Sequence, residues 1–343
     1  MKAVRLIAPE EVRVEDVAEP SLLESGDAIV RVTASAICGA DLLPYHGMTP
    51  GFEPGTVLGH EFVGVVEAVG DGVTAVAPGD RVVNTSMTSD GTCAHCRAGR
   101  VTQCESRALF GYSGVYPRLE GGQAELVRVP GANRSLFRVP DEVSDEDAVF
   151  VADILPTGLA GVRRGGVQVG DVVAVLGAGP VGLMAVLSAR GTAREVIAVD
   201  HVAERRALAD QLGVHGVTPQ HAADAVSSAS DGMGADVVVE AAGALPALDA
   251  SLELVRPQGT VSVIGAHFEP DYPLNNALMF EKEITLRFTI GDPTHDRERL
   301  LAAIGAGAMK PSEVITHRMA LADAADAYHL FDSREATKVV LTP

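Results

Sequence analysis

Val172-Val173-Ala174-Val175-Leu176-Gly177-Ala178-Gly179-Pro180-Val181-Gly182 is a β-branched, uncharged run that ends in a glycine fingerprint. The apolar part reads as a buried strand, and Val181–Ala189 after it as a helix. In this context G-x-G-x-x-G points to a dinucleotide. Gly177 permits the tight turn, Gly179 lets the backbone approach a pyrophosphate, and Gly182 lets helix and strand pack closely. Pro180 and Val181 open the helix, whose N–H groups and positive dipole end face the phosphates. The next strand, Glu195–Asp200, ends in an acid roughly twenty residues beyond the glycines, as this fingerprint requires. A carboxylate at Asp200 accepts both ribose hydroxyls and repels a 2′-phosphate, which favours NAD over NADP. Arg205, just over one helical turn on, can border the adenosine. The competing reading makes Gly177–Gly182 a structural turn and Asp200 a helix N-cap.

Working outward, strands and helices alternate on the C-terminal side. Helices are expected at Ala203–Leu212 and Ala247–Leu254, and strands at Ala235–Glu240 and Gly259–Gly265, the pattern of a parallel α/β sheet. The style changes near residue 153. Before it, short runs such as Ala28–Val32, Phe62–Val69 and Arg81–Val83 alternate with turns at Gly26-Asp27, Gly70-Asp71-Gly72 and Pro78-Gly79-Asp80, which predicts an antiparallel β domain, barrel-like in outline. Beyond about Gly291, a helix at Arg297–Ala306 and a strand at Lys338–Thr342 do not continue the sheet.

With 343 residues, 47% hydrophobic and 21% charged, the chain has room for two domains with full cores. Glycines and Pro180 mark Val172–Ala189 as strand, turn and helix, not a bilayer span. The N-terminal residues lack a signal-peptide core, so a cytoplasmic protein is expected. A formal charge of −19 disfavours nucleic acid and anionic membranes as partners.

All four cysteines fall in two segments with metal-ligand character. Cys93-x2-Cys96-x7-Cys104 supplies three thiolates, and a closed structural zinc site needs four ligands. Asp90, three residues before Cys93, completes the set with an oxygen that zinc accepts. Cys38 and His60, with Asp41 and Glu61 beside them, form a second candidate set. A catalytic zinc needs three protein ligands and an open position. Asp153 is the candidate third ligand, because an unpaired acid in an apolar run is costly and coordination removes that cost. The alternatives for Asp153 are a helix N-cap or a salt-bridged acid. A metal that polarises oxygen, together with a cofactor that accepts hydride, is the chemistry of alcohol oxidation and carbonyl reduction.

These residues resemble the zinc-dependent medium-chain alcohol dehydrogenase family over nearly the whole chain. The resemblance is carried by Cys38-Gly39-Ala40-Asp41, Gly59-His60-Glu61, the Asp90–Cys104 loop, Asp153-Ile154-Leu155-Pro156-Thr157-Gly158, the glycine fingerprint and Thr337-Lys338-Val339-Val340-Leu341. It implies α/β plus β architecture: a GroES-like, zinc-binding catalytic domain of residues 1–153 and 291–343, a Rossmann NAD-binding domain of 154–290 inserted in it, and an active site in the cleft between them. It implies two zinc ions per chain, NAD, a small-molecule alcohol or carbonyl substrate and a homo-oligomer, dimer or tetramer. Cys38, His60 and Asp153 would hold the catalytic zinc, with Glu61 either beside the ligands or an exchangeable ligand. Asp41 would fix the tautomer of His60, Thr157 would touch the nicotinamide, and Lys338 would reach the pyrophosphate.

Two departures affect the proton path. Family members that oxidise alcohols usually have Ser or Thr at the position of Ala40, and many have His at that of Leu43. The nearest replacement carriers are Tyr45 and His46, of which His46 has the better matched pKa; ordered water or a polar substrate are the others. Tyr45, His46, Phe52, Phe110, Tyr112 and Tyr116 are candidates either for cleft lining or for ordinary packing. The rival functions are a zinc-independent enone or quinone reductase of the same superfamily and a non-catalytic cofactor-binding protein.

Overall fold

A computed structural model describes residues 1–292 and 294–343. The chain divides into two compact units, Met1–Asp153 with Asp292–Pro343, and Ile154–Gly291. Gly291, expected with the outer segments, goes with the inner unit instead. Its α-carbon lies directly against Thr157, where a Cβ would collide with the threonine side chain and backbone.

The inner unit is a six-stranded sheet in the order His215–Val217, Glu195–Val199, Val172–Leu176, Ala235–Glu240, Val255–Val263, Thr285–Phe288. Every pairing in it is parallel. The first strand in sequence is therefore central, and the strand order reverses beside it, the switch point at which α/β sheets bind ligands. Val172–Leu176 is buried throughout, as expected of a strand covered on both faces. Its side chains join Ile197, Val199, Val238, Val261 and Val263 and pack on Val226, Leu248 and Leu252 from the helices. The helices Pro180–Ala189 and Leu245–Leu254 each begin with a proline at the first or second position, where the missing N–H costs nothing. Twelve-residue Ile154–Gly165 is a further helix. Its Gly158 leaves no room for a Cβ against Met184 and Ala185, so the small residue is what allows the two helices to approach.

The outer unit holds a seven-stranded sheet and a separate hairpin, Lys2–Ala8 with Glu11–Asp16. The central strand Ala28–Ala36 pairs along its whole length with Glu61–Val69. Its other edge is shared: Leu126–Val129 pairs with its start and Val339–Thr342 with its end. Glu61–Val69 continues to Arg81–Asn84 and that strand to Leu136–Arg138. His317–Ala320 adds the one parallel pair. The strand path is thus open and branched at Ala28–Ala36, not a closed barrel. One core cluster joins Val4, Leu6, Ile37 and Leu58 to Tyr328, Phe331 and Val339, so the C-terminal segment completes the N-terminal core. Among the described residues, no helix is long and apolar enough to cross a membrane.

Candidate functional site

Strand register assembles the first cluster. Ala36 pairs with Glu61 in an antiparallel ladder, so Cys38 lies just past the end of one strand and His60 just before the start of the next. Val340 pairs with Ala36 on the other side, and Ile37 N donates to Val339 O at 3.1 Å. Cys38, His60, Glu61 and Lys338 therefore meet at one end of three neighbouring strands. Asp153 arrives from the single-turn helix Val149–Ala152, which is tied to the adjacent strand end because Ser86 N donates to Ala152 O at 3.1 Å.

One ligand-capable atom from each of Cys38, His60, Glu61 and Asp153 lies within 4.8 Å of all the others. Asp153 Oδ2 is 4.0 Å from Cys38 Sγ and 3.4 Å from His60 Nε2. His60 Nδ1 donates to Asp41 Oδ1 at 2.9 Å, and Asp41 Oδ2 accepts from Cys38 N at 2.9 Å. Asn84, fully buried, accepts from Phe62 N and donates to His60 O, gripping the backbone on both sides of Glu61. Ser86 donates to Asp153 Oδ1 at 3.1 Å. Asp153 thus turns Oδ2 to the cluster while Ser86 holds Oδ1.

The fit to a metal rests on two orphaned atoms. His60 Nε2 and Glu61 Oε1 are buried without a hydrogen-bond partner. A buried polar atom without a partner is costly, and a cation among thiol, imidazole and carboxylates would satisfy both. The field agrees. Burial would lower the His60 pKa, but Asp41, Cys38 and Asp153 together hold it well above the ordinary imidazole value. Burial would raise Asp153, but His60 and Ser86 hold it down. Burial raises the Cys38 thiol, and the Glu61 charge adds to the rise. An environment that draws positive charge onto His60 Nε2 suits a divalent ion at the same place.

The second cluster is a loop with its own short-range wiring. Asp90, Cys93, Cys96 and Cys104 also place four ligand-capable atoms within 4.8 Å of one another, and all three cysteines are free. Asp90 Oδ1 accepts from Thr92 N at 2.6 Å and Cys93 N at 2.8 Å. Cys93 Sγ accepts from Cys96 N at 3.4 Å, and Cys104 Sγ from Asp90 N at 3.3 Å. Those amides lower the Asp90 carboxyl and the Cys93 thiol, while burial and the neighbouring sulfurs push Cys96 up to about 12. Amide donors aimed at sulfur and oxygen, with crowded like-charged ligands, are what a four-coordinate zinc loop needs.

At the dinucleotide turn, Gly177 has φ of +92°, and a Cβ at Gly182 would strike the Gly177 carbonyl. Asp200 lies just past the strand Glu195–Val199 rather than within it. It is 4% exposed, and it accepts from Ala178 N and Val202 N, both at 2.8 Å. Its carboxylate ties the glycine turn to the start of the next helix, although Val202 is the N-cap residue. Arg205 Nη1 stands 3.8 Å from Asp200 Oδ2. Thr157 lies on the helix Ile154–Gly165 against Gly291.

Lys338 is fully buried; its Nζ donates to Ile37 O at 3.1 Å and to Glu61 Oε2. The buried glutamate would otherwise keep an unpaired charge, so the ammonium is held inside the unit. Burial outweighs that ammonium and raises Glu61 to about 7. His46 is not at the cluster. Its ring is bound at the surface by Asp332 Oδ1 at 2.8 Å and Glu10 Oε1 at 3.3 Å. Of the aromatic candidates, Tyr45 and Phe110 are core side chains, while Tyr112 donates its hydroxyl to the Ala40 carbonyl. Ser86, Asn84 and Arg297, whose guanidinium is buried against the turn before Asp153, escaped the sequence reading. The only signal was the polar Asn84-Thr85-Ser86 after an apolar strand; Arg297 gave none.

Residues 24–141 match the alcohol dehydrogenase GroES-like domain and residues 180–306 the zinc-binding dehydrogenase domain. A zinc-type alcohol dehydrogenase-like protein of Bacillus subtilis is 34% identical, with 100% of both chains covered. The solved alcohol dehydrogenase TADH from Thermus sp. ATN1 is 40% identical with a TM-score of 0.96, covering 100% of this chain and 99% of that one. A putative zinc-binding dehydrogenase from Sinorhizobium meliloti 1021, solved bound to NADP, is 31% identical with a TM-score of 0.88, covering 100% and 99%. With its two units built as above, the chain belongs to the zinc-type medium-chain alcohol dehydrogenase family, oxidoreductases with a GroES-like domain and a Rossmann domain that bind zinc and a nicotinamide cofactor.

Proposed function

We propose that this oxidoreductase is an NAD-dependent dehydrogenase that holds two zinc ions and moves hydride between an alcohol and the corresponding aldehyde or ketone. The observation that carries the reading is the convergence of Cys38, His60 and Asp153 around an unpartnered His60 Nε2. Held by Cys38, His60 and Asp153, zinc would supply Lewis-acid polarisation of the substrate oxygen, and a bound nicotinamide would supply the hydride chemistry.

The chain's own residues do the positioning. Asp41 accepts the Nδ1 proton of His60, which leaves Nε2 as the donor atom facing the cluster. Ser86 orients Asp153 by binding its other oxygen. Lys338 holds one oxygen of Glu61 and leaves the second unpartnered, the arrangement of an exchangeable ligand. Asp90, Cys93, Cys96 and Cys104 are assigned to the structural zinc. Gly177, Gly179, Pro180, Val181 and Gly182 are assigned to the pyrophosphate, Asp200 and Arg205 to the adenosine end and Thr157 to the nicotinamide. With Ala40 and Leu43 apolar and His46 engaged by two surface carboxylates, the departing proton is carried by water or by a hydroxyl of the substrate.

NAD is favoured because a 2′-phosphate would meet the buried Asp200 carboxylate, a like-charge contact in a partly desolvated site. The test is a screen of NAD and NADP reduction across secondary alcohols, polyols, amino alcohols and aldehydes, with elemental analysis of the same preparation. About two zinc ions per chain and a higher kcat/KM with NAD are expected, and Asp200→Ser should narrow the preference. Equal or better efficiency with NADP refutes the cofactor assignment, and one zinc per chain refutes the two-site assignment. Substrate-dependent NADH formation with any of these compounds removes the non-catalytic alternative.

A further inference from the structure

Arg297 is the largest fully buried side chain among the described residues. It begins the helix Arg297–Gly305. Its hydrogen bonds go to main-chain carbonyls: Nε donates to Val151 O at 3.2 Å and Nη2 to Ala152 O at 3.0 Å. The guanidinium lies over the Phe137 ring, 4.9 Å from the centroid, and Nη1 has no partner. Burying a guanidinium is costly, and an apolar side chain of similar volume would avoid that cost. An apolar side chain could not hold two consecutive carbonyls.

Those carbonyls belong to the last turn before Asp153. Ala152 O also accepts from Ser86 N, and Ser86 Oγ donates to Asp153 Oδ1. Arg297 and Ser86 thus grip the same peptide from two elements, and Asp153 is the next residue. We propose that Arg297 is a positioning residue which, by fixing the Val151–Ala152 backbone, sets where the Asp153 carboxylate stands toward the catalytic metal. This rests on the reading of Asp153 as a zinc ligand.

The experiment compares zinc retention in wild type, Arg297→Met, Arg297→Lys and Asp153→Ala. Each holoprotein is dialysed against a graded series of chelator concentrations and followed by elemental analysis, with thermal unfolding measured in parallel. Loss of an outer hydrogen-bond partner typically costs 10–100-fold in metal affinity. Arg297→Met is expected to release one of two zinc ions at roughly tenfold lower chelator concentration, the other following wild type. Arg297→Lys, which keeps the charge and one donor, is expected to fall between them. A lowered unfolding temperature with wild-type zinc retention would make Arg297 merely structural and overturn the proposal. If Arg297→Met does not fold, Arg297→Lys decides by the same criterion. Asp153→Ala separates the two layers. Zinc lost in Asp153→Ala but retained in the Arg297 variants sinks the positioning role alone. Zinc retained in Asp153→Ala sinks the ligand assignment and the positioning role with it.

Discussion

Asp90, Cys93, Cys96 and Cys104 come from one loop and are half-exposed apart from Cys104, whereas Cys38 and Asp153 in the other cluster are 115 residues apart in sequence and meet where three of the four side chains are buried and Asp153 is partly exposed. The loop carries little hydrophobic packing of its own: its two single-turn helices, Ala94–Arg97 and Val101–Gln103, have no buried residue. A metal there supplies order that burial does not, so its binding energy becomes folding energy. The buried cluster is framed by strands already fixed by the Ala36–Glu61 register and by Asn84. A metal there adds chemistry to a frame that stands without it. On the proposed assignment, the same kind of donor set is architecture in one place and a reaction centre in the other.

The largest expected effect tests the second half of that contrast. Cys38→Ala removes one proposed ligand and leaves the strand ends intact. Lewis-acid assistance is worth several kcal/mol, and each 1.4 kcal/mol or so is a decade in rate. Turnover should fall about a thousandfold, with an unfolding temperature within a few degrees of wild type. A variant that loses more than about ten degrees would show that the buried cluster is architectural too.

Cys96→Ser is the converse. With one of four loop ligands weakened, about 3 kcal/mol of stability should go, which for a domain of this size is a fall of roughly 6–12 °C. Turnover per folded molecule at low temperature should match wild type. Equal loss of turnover and stability would erase the distinction between the clusters.

The two clusters also differ in how far sequence could reveal them. Asp90, Cys93, Cys96 and Cys104 announce themselves by spacing, since one loop can bring them together, and the glycine fingerprint is legible for the same reason. Cys38, His60 and Asp153 carry no mutual spacing; their meeting depends on a strand register and on a turn hung from Ser86 and Arg297. Family resemblance suggested the set without revealing its supports. The pairing of Lys338 with Glu61 was not legible, because the two are 277 residues apart in sequence and nothing local marks a lysine as buried. The helix Ile154–Gly165 was hidden by Pro156, Gly158 and Gly161, residues that weaken helix propensity. Gly158 and Gly161 are there because Met184, Ala185 and Ile264 leave no room for more.

A smaller contrast sharpens the arginine argument. At the entry to the loop, Arg134 from the helix Ala132–Ser135 donates Nε and Nη2 to Ser89 O, at 3.1 and 2.8 Å, just before Asp90. This is the exposed counterpart of the Arg297 grip before Asp153. Solvent can replace those bonds, so Arg134→Met should cost less than about 1 kcal/mol and leave loop zinc retention within about twofold, as usual for surface substitutions. A loss of loop zinc as large as that expected at the buried cluster for Arg297→Met would mean that burial does not decide the strength of such a clamp.

The smallest effect concerns the two histidines that separate the same environments, His60 inside and His46 at the surface. Partial burial would lower the pKa of His46, but the hydrogen bonds and charges of Asp332 and Glu10 outweigh it and hold the pKa above the ordinary value. A group whose folded pKa is raised contributes stability that is complete below its unfolded pKa, near 6.5, and that fades as pH rises through the folded value. His46→Gln should therefore be less stable than wild type at pH 6, and the gap should close by pH 9. Its size stays below about 1 kcal/mol because the ring is partly solvated and paired on the surface. Thermal unfolding of both proteins at the two pH values measures it, and a gap that does not change with pH removes the ion pair from the account. Turnover supplies the second readout. If its ring stays held by Glu10 and Asp332 during turnover, His46→Gln should keep the wild-type rate and the same apparent pKa. A lost limb in that pH–rate profile would return His46 to the proton path and mean that its surface pairing opens during turnover.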